Sequence, residues 1–164
     1  MKVMYPGTFD PPTKGHLSLI TRASVLFDSV DVAIGIDTEK DKPLLTAEER
    51  MAFLETLTQD MPNVSVSFFE GLLVKHAEER GCHAILRSLR TYTDFEHEKT
   101  LAHTNKKIGN IETLLLLPDE AYQSISASLI RDIARRGEDL TPFIPEGIAP
   151  KVTEMLQARL QSNR

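Results

Sequence analysis

The stretch Tyr5-Pro-Gly-Thr-Phe-Asp-Pro-Pro-Thr-Lys-Gly-His16 joins a short apolar run to a helical one. Before it, Lys2 to Tyr5 reads as a buried strand. Gly7 and the prolines that follow force a turn. From Gly15 to Phe27, apolar and small residues recur at helical spacing, with Leu17, Ile20, Ser24 and Phe27 on one side. The unit is therefore strand, turn, helix. Gly7 and Gly15 let the backbone approach a ligand closely. The helix that opens there offers unpaired N–H groups suited to phosphate. His16 in its first turn is placed to donate to a phosphate oxygen, and Thr8 to meet a second anionic group. The glycine spacing fits neither a Walker A loop nor a GxGxxG fingerprint. The same residues also suit a plain turn and a capped helix with an exposed His16, and spacing alone does not separate the two.

The pattern repeats along the chain. Ser29 to Ile36 is apolar enough for a strand covered on both faces. Asp37 to Pro43 is a charged loop. Thr46-Ala-Glu-Glu49 has the form of a capping box, and the helix behind it carries Ala47, Met51, Leu54 and Leu57 on one face. Asn63 to Phe69 holds a third strand, and a short helix with Leu72, Leu73, His76 and Ala77 follows Gly71. Gly81 to Leu86 is a fourth strand and Asp94 to Lys107 a helix. Ile111 to Leu117 is a fifth strand, closed by Pro118. A helix runs from near Ser126 towards Arg136. The last covers about Ile148 to Leu160, with Val152, Met155, Leu156 and Leu160 inward. Strands alternating with helices predict a mostly parallel sheet covered on both faces.

Composition narrows the function classes. The chain has 164 residues, 41% hydrophobic and 26% charged, enough for one compact domain. A net charge of -5 without a basic stretch gives no support to a nucleic-acid partner. Cys82 is the sole cysteine, so an internal disulfide and a cysteine metal cluster are excluded. No run approaches the roughly 20 apolar residues that span a membrane, and Lys2 to Tyr5 is no signal-peptide core. A cytoplasmic location and no membrane partner are the expectations.

Ligands of open parallel sheets collect beyond the C-terminal strand ends. Four polar clusters are expected there: Thr8 to His16, Asp37 to Lys42, Arg87 to Arg90, and Ser124 to Arg131. Lys42 can reach a phosphate from its loop. Arg87 and Arg90, fork-shaped cations, suit an anionic cleft. Ser126 or Ser128 can cap a helix and face a nucleotide at once, with Arg131 one turn on. Asp10, between turn residues, is placed to orient the loop. His76, His83, His97 and His103 have no zinc spacing, and no metal-ligand set is expected. His83 reads as a structural residue within the fourth strand. Asp94, Glu96 and Glu98 read as a solvent face.

These residues carry a family resemblance. Tyr5 to Pro11, Thr13-Lys-Gly-His16, Lys42-Pro43, Thr46-Ala-Glu-Glu-Arg50, Phe69-Glu-Gly-Leu-Leu73, Arg87-Ser-Leu-Arg90, Asp94-Phe-Glu-His-Glu98 and Ile125-Ser-Ala-Ser-Leu-Ile-Arg131 resemble, in order, the bacterial phosphopantetheine adenylyltransferases. Thr13 to His16 resembles an HxGH signature with threonine first. The resemblance implies an α/β fold, a single Rossmann-like domain over 1–164 with a mostly parallel five-stranded sheet and a C-terminal helix. It implies reversible adenylyl transfer from ATP to 4'-phosphopantetheine, giving dephospho-coenzyme A and pyrophosphate in coenzyme A synthesis. It also implies magnesium with the ATP, coenzyme A as a feedback ligand, and a homohexamer.

By the same resemblance, His16 stabilises the reacting α-phosphate. Thr8, Lys42 and Arg87 surround the acceptor phosphate and transition state. Thr8, Phe9, Arg90, Glu98, Ser126, Ala127, Ser128 and Arg131 gather the nucleotide. Leu72, Leu73 and Asn105 face the pantetheine. The chain departs from the family's pattern at Lys14, Ser88, His97 and Ala127, and Ala121-Tyr122 lacks a common tryptophan. Nucleotidyl transfer to another phosphorylated acceptor is the nearest alternative, and a non-catalytic nucleotide-binding regulator is a different class of answer.

Overall fold

The computed structural model describes residues 1–36, 43–89 and 92–161. Five strands form one sheet: β1 (Lys2–Gly7), β2 (Ser29–Gly35), β3 (Val64–Phe69), β4 (Ala84–Ser88) and β5 (Glu112–Leu116), in the order β3-β2-β1-β4-β5. Every pairing is parallel. β1 pairs β2 from Lys2 opposite Ser29 to Gly7 opposite Ile34, and pairs β4 through Val3 opposite Ala84. The strand order therefore reverses direction beside β1, and the gap between β1 and β4 is the topological switch point where a ligand fits.

The helices are α1 (Lys14–Leu26), α2 (Ala47–Thr58), α3 (Leu73–Glu79), α4 (Tyr92–Gly109), α5 (Ala127–Arg135) and α6 (Ala149–Gln161). Strand alternation assigns the layers. Val3 and Tyr5 of β1 join Leu19, Ile20 and Ala23 of α1 and Leu54 of α2 in one cluster. Met4 faces the other way, with Ala33, Ile85, Val74 and Ala77. A third cluster joins Leu45, Ile130, Ala134, Val152 and Leu156, so α6 braces both α5 and the segment after residue 42. The expected α/β architecture, with a five-stranded sheet and helices on both faces, is what forms.

Some details differ from the expectation. The inward stripe of α1 is Leu19, Ile20 and Ala23, while Leu17 and Ser24 are only half-buried. Helical spacing does not choose between adjacent stripes, and small Ala23 lets the helix approach the sheet. β4 begins at Ala84 instead of Gly81. Gly81 sits at φ 65° and ends α3; its N–H donates to Glu78 O and the Cys82 N–H to Ala77 O. That is a Schellman cap, which uses those residues before the strand can start. His83 consequently lies in the bend before β4, exposed, where its Nδ1 accepts the Lys2 N–H. β4 instead runs on through Arg87 and Ser88, so the sheet itself fixes their directions. A short 3-10 turn, Glu120–Tyr122, precedes α5 and brings Tyr122 against Gly15 at the start of α1.

Candidate active site

The β1–α1 turn is built around Phe9. Its φ is 52°, its ring is 1% exposed, and it meets Tyr5 and His16 edge-on at 5.6 and 4.9 Å. The ring passes so near Gly7 that a Cβ there would lie 2.8 Å from it, which is why β1 ends on glycine. Phe9 thus plugs the turn from below, while Thr8 stays exposed above. Asp10 orients the loop as expected. Its buried carboxylate accepts the Leu44 and Leu45 N–H groups, both at 2.8 Å, and lies 3.8 Å from Arg131 Nη1.

Thr13 caps α1 in a reciprocal box. Thr13 Oγ1 accepts the His16 N–H at 3.2 Å, and the Thr13 N–H donates to His16 Nδ1 at 3.1 Å. A backbone N–H can only donate, so Nδ1 must carry a lone pair. The neutral imidazole therefore holds its proton on Nε2. His16 occupies the position that glutamate fills in the usual box, and its ring is both oriented and set to one tautomer.

Beside it, a cleft of about 260 Å³ is lined by Tyr5, Pro6, Gly7, His16, Arg87, Ser88 and Asp94. It lies at the β1–β4 switch point. Arg87 enters from the last turn of β4. Its Nε donates to Glu98 Oε2 at 2.8 Å and its Nη2 to Glu98 Oε1 at 2.6 Å, while Nη1 lies 3.4 Å from Pro6 O. Burial works against the charge on Arg87, but the hydrogen bonds to Glu98 and its negative charge outweigh this and push the guanidinium's pKa up. The result is a fixed cation on the cleft wall opposite the start of a helix.

Glu98 is buried at 6% exposure, which corrects the reading of a solvent face. Asp94 and Glu98 are one turn apart, so they share the stripe of α4 that turns inward. Glu96 does stay exposed and pairs with Lys99.

The other expected residues distribute as follows. Ser126 is the N-cap of α5, accepting the Leu129 N–H at 3.2 Å. Ala127 and Ser128 form the first turn, and Arg131 follows one turn later beside Asp10. Leu72 caps α3 at 51% exposure and Leu73 packs half-buried against the core. Asn105 lies two turns beyond Glu98 on α4, with Nδ2 3.5 Å from Thr113 Oγ1. Of the predicted site residues that are described, His16 and Arg87 line the cleft, while Thr8, Phe9, Glu98, Ser126, Ala127, Ser128, Arg131, Leu72, Leu73 and Asn105 lie outside its walls. Asp37, Lys42 and Arg90 lie outside the described residues.

Sequence reasoning missed Thr13 as the group that sets His16, because the box signal asks for Glu or Gln three residues on. It also missed buried Arg50, named only as part of a motif. Asp94, expected on a solvent face, lines the cleft instead, and Ser88 lines it within the expected Arg87 to Arg90 cluster. Among the described residues, no group of three or more His, Cys, Asp or Glu is placed to hold a metal, and no helix is long and apolar enough to cross a membrane.

The likenesses to known proteins agree with this geometry. Residues 4–133 match the family model of cytidylyltransferase-like proteins. A phosphopantetheine adenylyltransferase of Flavobacterium johnsoniae is 43% identical over 92% of this chain and 98% of its own. One of Thiobacillus denitrificans is 43% identical over 96% of this chain and 98% of its own. Among solved structures, a bifunctional NMN adenylyltransferase/ADP-ribose pyrophosphatase of Francisella tularensis superposes with a TM-score of 0.72 at 17% identity, covering 99% of this chain and 52% of that one. A proposed nicotinate-nucleotide adenylyltransferase of Vibrio parahaemolyticus gives 0.66 at 20% identity, over 99% and 96%. At those identities the two structures bear on the fold alone. The sheet with its switch-point cleft, the histidine at the helix cap and the near full-length relatives lead to one statement: the chain belongs to the phosphopantetheine adenylyltransferase family.

Proposed function

We propose that this chain is the enzyme that transfers the adenylyl group of ATP to 4'-phosphopantetheine, releasing pyrophosphate and forming dephospho-coenzyme A. The observation that carries the reading is His16, held by the α1 cap as an Nε2–H donor beside Arg87 in the switch-point cleft.

The chemistry asks little covalent help of the protein. The acceptor phosphate, with a second pKa of about 6, is mostly dianionic at neutral pH. One of its oxygens attacks the α-phosphorus of ATP. The bond from that phosphorus to the bridging oxygen breaks in line, and its electron pair leaves on pyrophosphate. No protein nucleophile and no obligatory protein base are needed. Catalysis comes from alignment and from stabilising charge as it moves. His16 Nε2–H donates to the α-phosphate, and Arg87, aimed by Glu98, faces the acceptor phosphate. The first-turn N–H groups of α1 and α5 add donors at two helix starts.

Further parts of the reading rest on the family. Thr8, Lys42 and Arg87 hold the acceptor phosphate. Phe9, Arg90, Ser126, Ala127, Ser128 and Arg131 gather ATP, and Leu72, Leu73 and Asn105 receive the pantetheine arm. Glu98 belongs to the nucleotide side by the family reading, and its bonds to Arg87 also aim the cation that faces the acceptor phosphate. A magnesium ion accompanying ATP would supply charge neutralisation to its phosphates. Asp94, the one carboxylate on the cleft wall among the described residues, fits a metal held mainly by phosphates. The chain acts as one nucleotidyltransferase domain over 1–164, in the cytoplasm, as a homohexamer open to coenzyme A feedback.

The test is to supply ATP, magnesium and 4'-phosphopantetheine and to measure both products. Equal amounts of pyrophosphate and dephospho-coenzyme A are expected. ATP binding with no pyrophosphate release across a panel of phosphorylated acceptors would point to a regulator, and release with a different acceptor to another transferase.

A further inference from the structure

Arg50 is 2% exposed, yet among the described residues no carboxylate lies within ion-pair distance of it. Its donors go to backbone carbonyls of three different elements. Nε donates to Thr46 O at 3.2 Å, in the cap of α2. Nη1 donates to Thr8 O at 2.8 Å, in the turn after β1, and lies 3.4 Å from Gly35 O at the end of β2. Burial lowers its pKa, with Asp10 and Glu48 opposing at longer range.

A buried cation without a counterion is costly. Cross-linking alone would not require the charge, since carbonyls also accept from neutral donors. The position says more. In a trans peptide the C=O and N–H point in opposite directions. Among the described residues the only cis bond is Asp10–Pro11, so the Thr8–Phe9 peptide is trans. With the Thr8 carbonyl drawn inward onto Arg50, the Phe9 N–H points away from the interior, beside exposed Thr8. That N–H has no backbone partner among the described residues. The unusual φ of Phe9 belongs to the same turned peptide.

We infer that Arg50 is a positioning residue for ATP phosphates: its buried guanidinium holds the Thr8–Phe9 peptide with the N–H outward and sets a positive charge beneath it. The inference rests on the adenylyltransferase reading and adds a residue to it. An arriving polyphosphate brings negative charge above the turn, where the Arg50 charge attracts it. Lysine retains the charge but not the three-way fork. Glutamine retains a donor but not the charge.

The experiment measures ATP affinity by calorimetry, without acceptor, for wild type, Arg50→Gln, Arg50→Lys and Leu54→Ala. Leu54 lies on the same helix, in the core cluster that includes Phe9, but has no donor for the Thr8 carbonyl, so it controls for loss of stability. Arg50→Gln is expected to weaken ATP binding about tenfold or more, with Arg50→Lys recovering part of the loss. Leu54→Ala is expected to lower the melting temperature with ATP affinity unchanged. In steady state, Arg50→Gln raises KM for ATP more than KM for the acceptor. Equal loss of ATP affinity in Arg50→Gln and Leu54→Ala at equal loss of melting temperature would overturn the inference, as would wild-type affinity in Arg50→Gln. Should Arg50→Gln fail to fold, Arg50→Lys decides by the same reading: weakened ATP binding supports the inference and wild-type binding overturns it. Because ATP binding is read without acceptor, a wild type that binds ATP but fails to adenylylate 4'-phosphopantetheine would overturn the transfer reading and leave Arg50 tested on its own.

Discussion

The two ends of the proposed reaction are built differently. At the β1–β4 end three of the described charged or polar groups have anchors. His16 is fixed by Thr13, Arg87 by both oxygens of Glu98, and Asp10 by two backbone N–H groups. On the proposed pantetheine side, Leu72 is half exposed at the start of α3 with no side-chain cap, and Asn105 of α4 has, among the described residues, one long side-chain contact, to Thr113 of β5. The difference teaches where precision is needed. Charge transfer at phosphorus tolerates little misplacement. A flexible pantetheine arm needs apolar area more than fixed donors. Rate should therefore be concentrated in the first region and acceptor affinity in the second.

The comparison breaks most visibly at His16. His16→Ala should lower kcat by about 10²–10³, the size expected for removing one transition-state donor, while the protein stays folded. Normal turnover under chemistry-limited conditions would end the assignment. Next comes Glu98→Ala, which leaves Arg87 unpaired. Its kcat/KM should fall roughly 10²-fold through misplacement, and chemical denaturation should show a loss of about 2–4 kcal/mol, since a mostly buried pair is broken. If Arg87 works without being aimed, only the stability will change. At the loose end the effect is smaller. Leu72→Ala should raise KM for the acceptor about threefold to tenfold by lost apolar contact, with kcat and melting temperature near wild type. A large kcat loss there would erase the division between the regions.

The smallest effect is a pH dependence outside both. Glu49 is held below its ordinary value near 4.5, chiefly by the hydrogen bonds from Arg159. A carboxyl with a depressed folded pKa stabilises fully above the unfolded value and loses that contribution as pH falls through the folded one. Wild type should thus lose stability between about pH 5 and the lower folded pKa more steeply than Glu49→Gln, as followed by thermal melts. Parallel curves would show that the pair contributes nothing.

Much of this was legible in the sequence, for reasons that can be stated. The strand-turn-helix unit at Tyr5 to His16 shows because glycine, proline and two apolar periods mark it sharply. Thr46 to Glu49 shows because its capping box has the usual residues. β4 was displaced because a Schellman cap uses Gly81 and Cys82 in local bonds back to Glu78 and Ala77, and a glycine stop does not by itself say that the residue after it also belongs to the cap. Arg50 and Glu98 were hidden because charged residues on helices are usually solvated. Only the packing of α2 and α4 on the sheet reveals that these two are inside. Thr13 was hidden because imidazole is an unusual partner in a capping box.

The central claim is that the helix cap presents His16 as an Nε2–H donor. Ring ¹⁵N spectra of the free protein at a pH where His16 is neutral test it directly. The account predicts an unprotonated Nδ1 and a protonated Nε2. A proton on Nδ1 would contradict it.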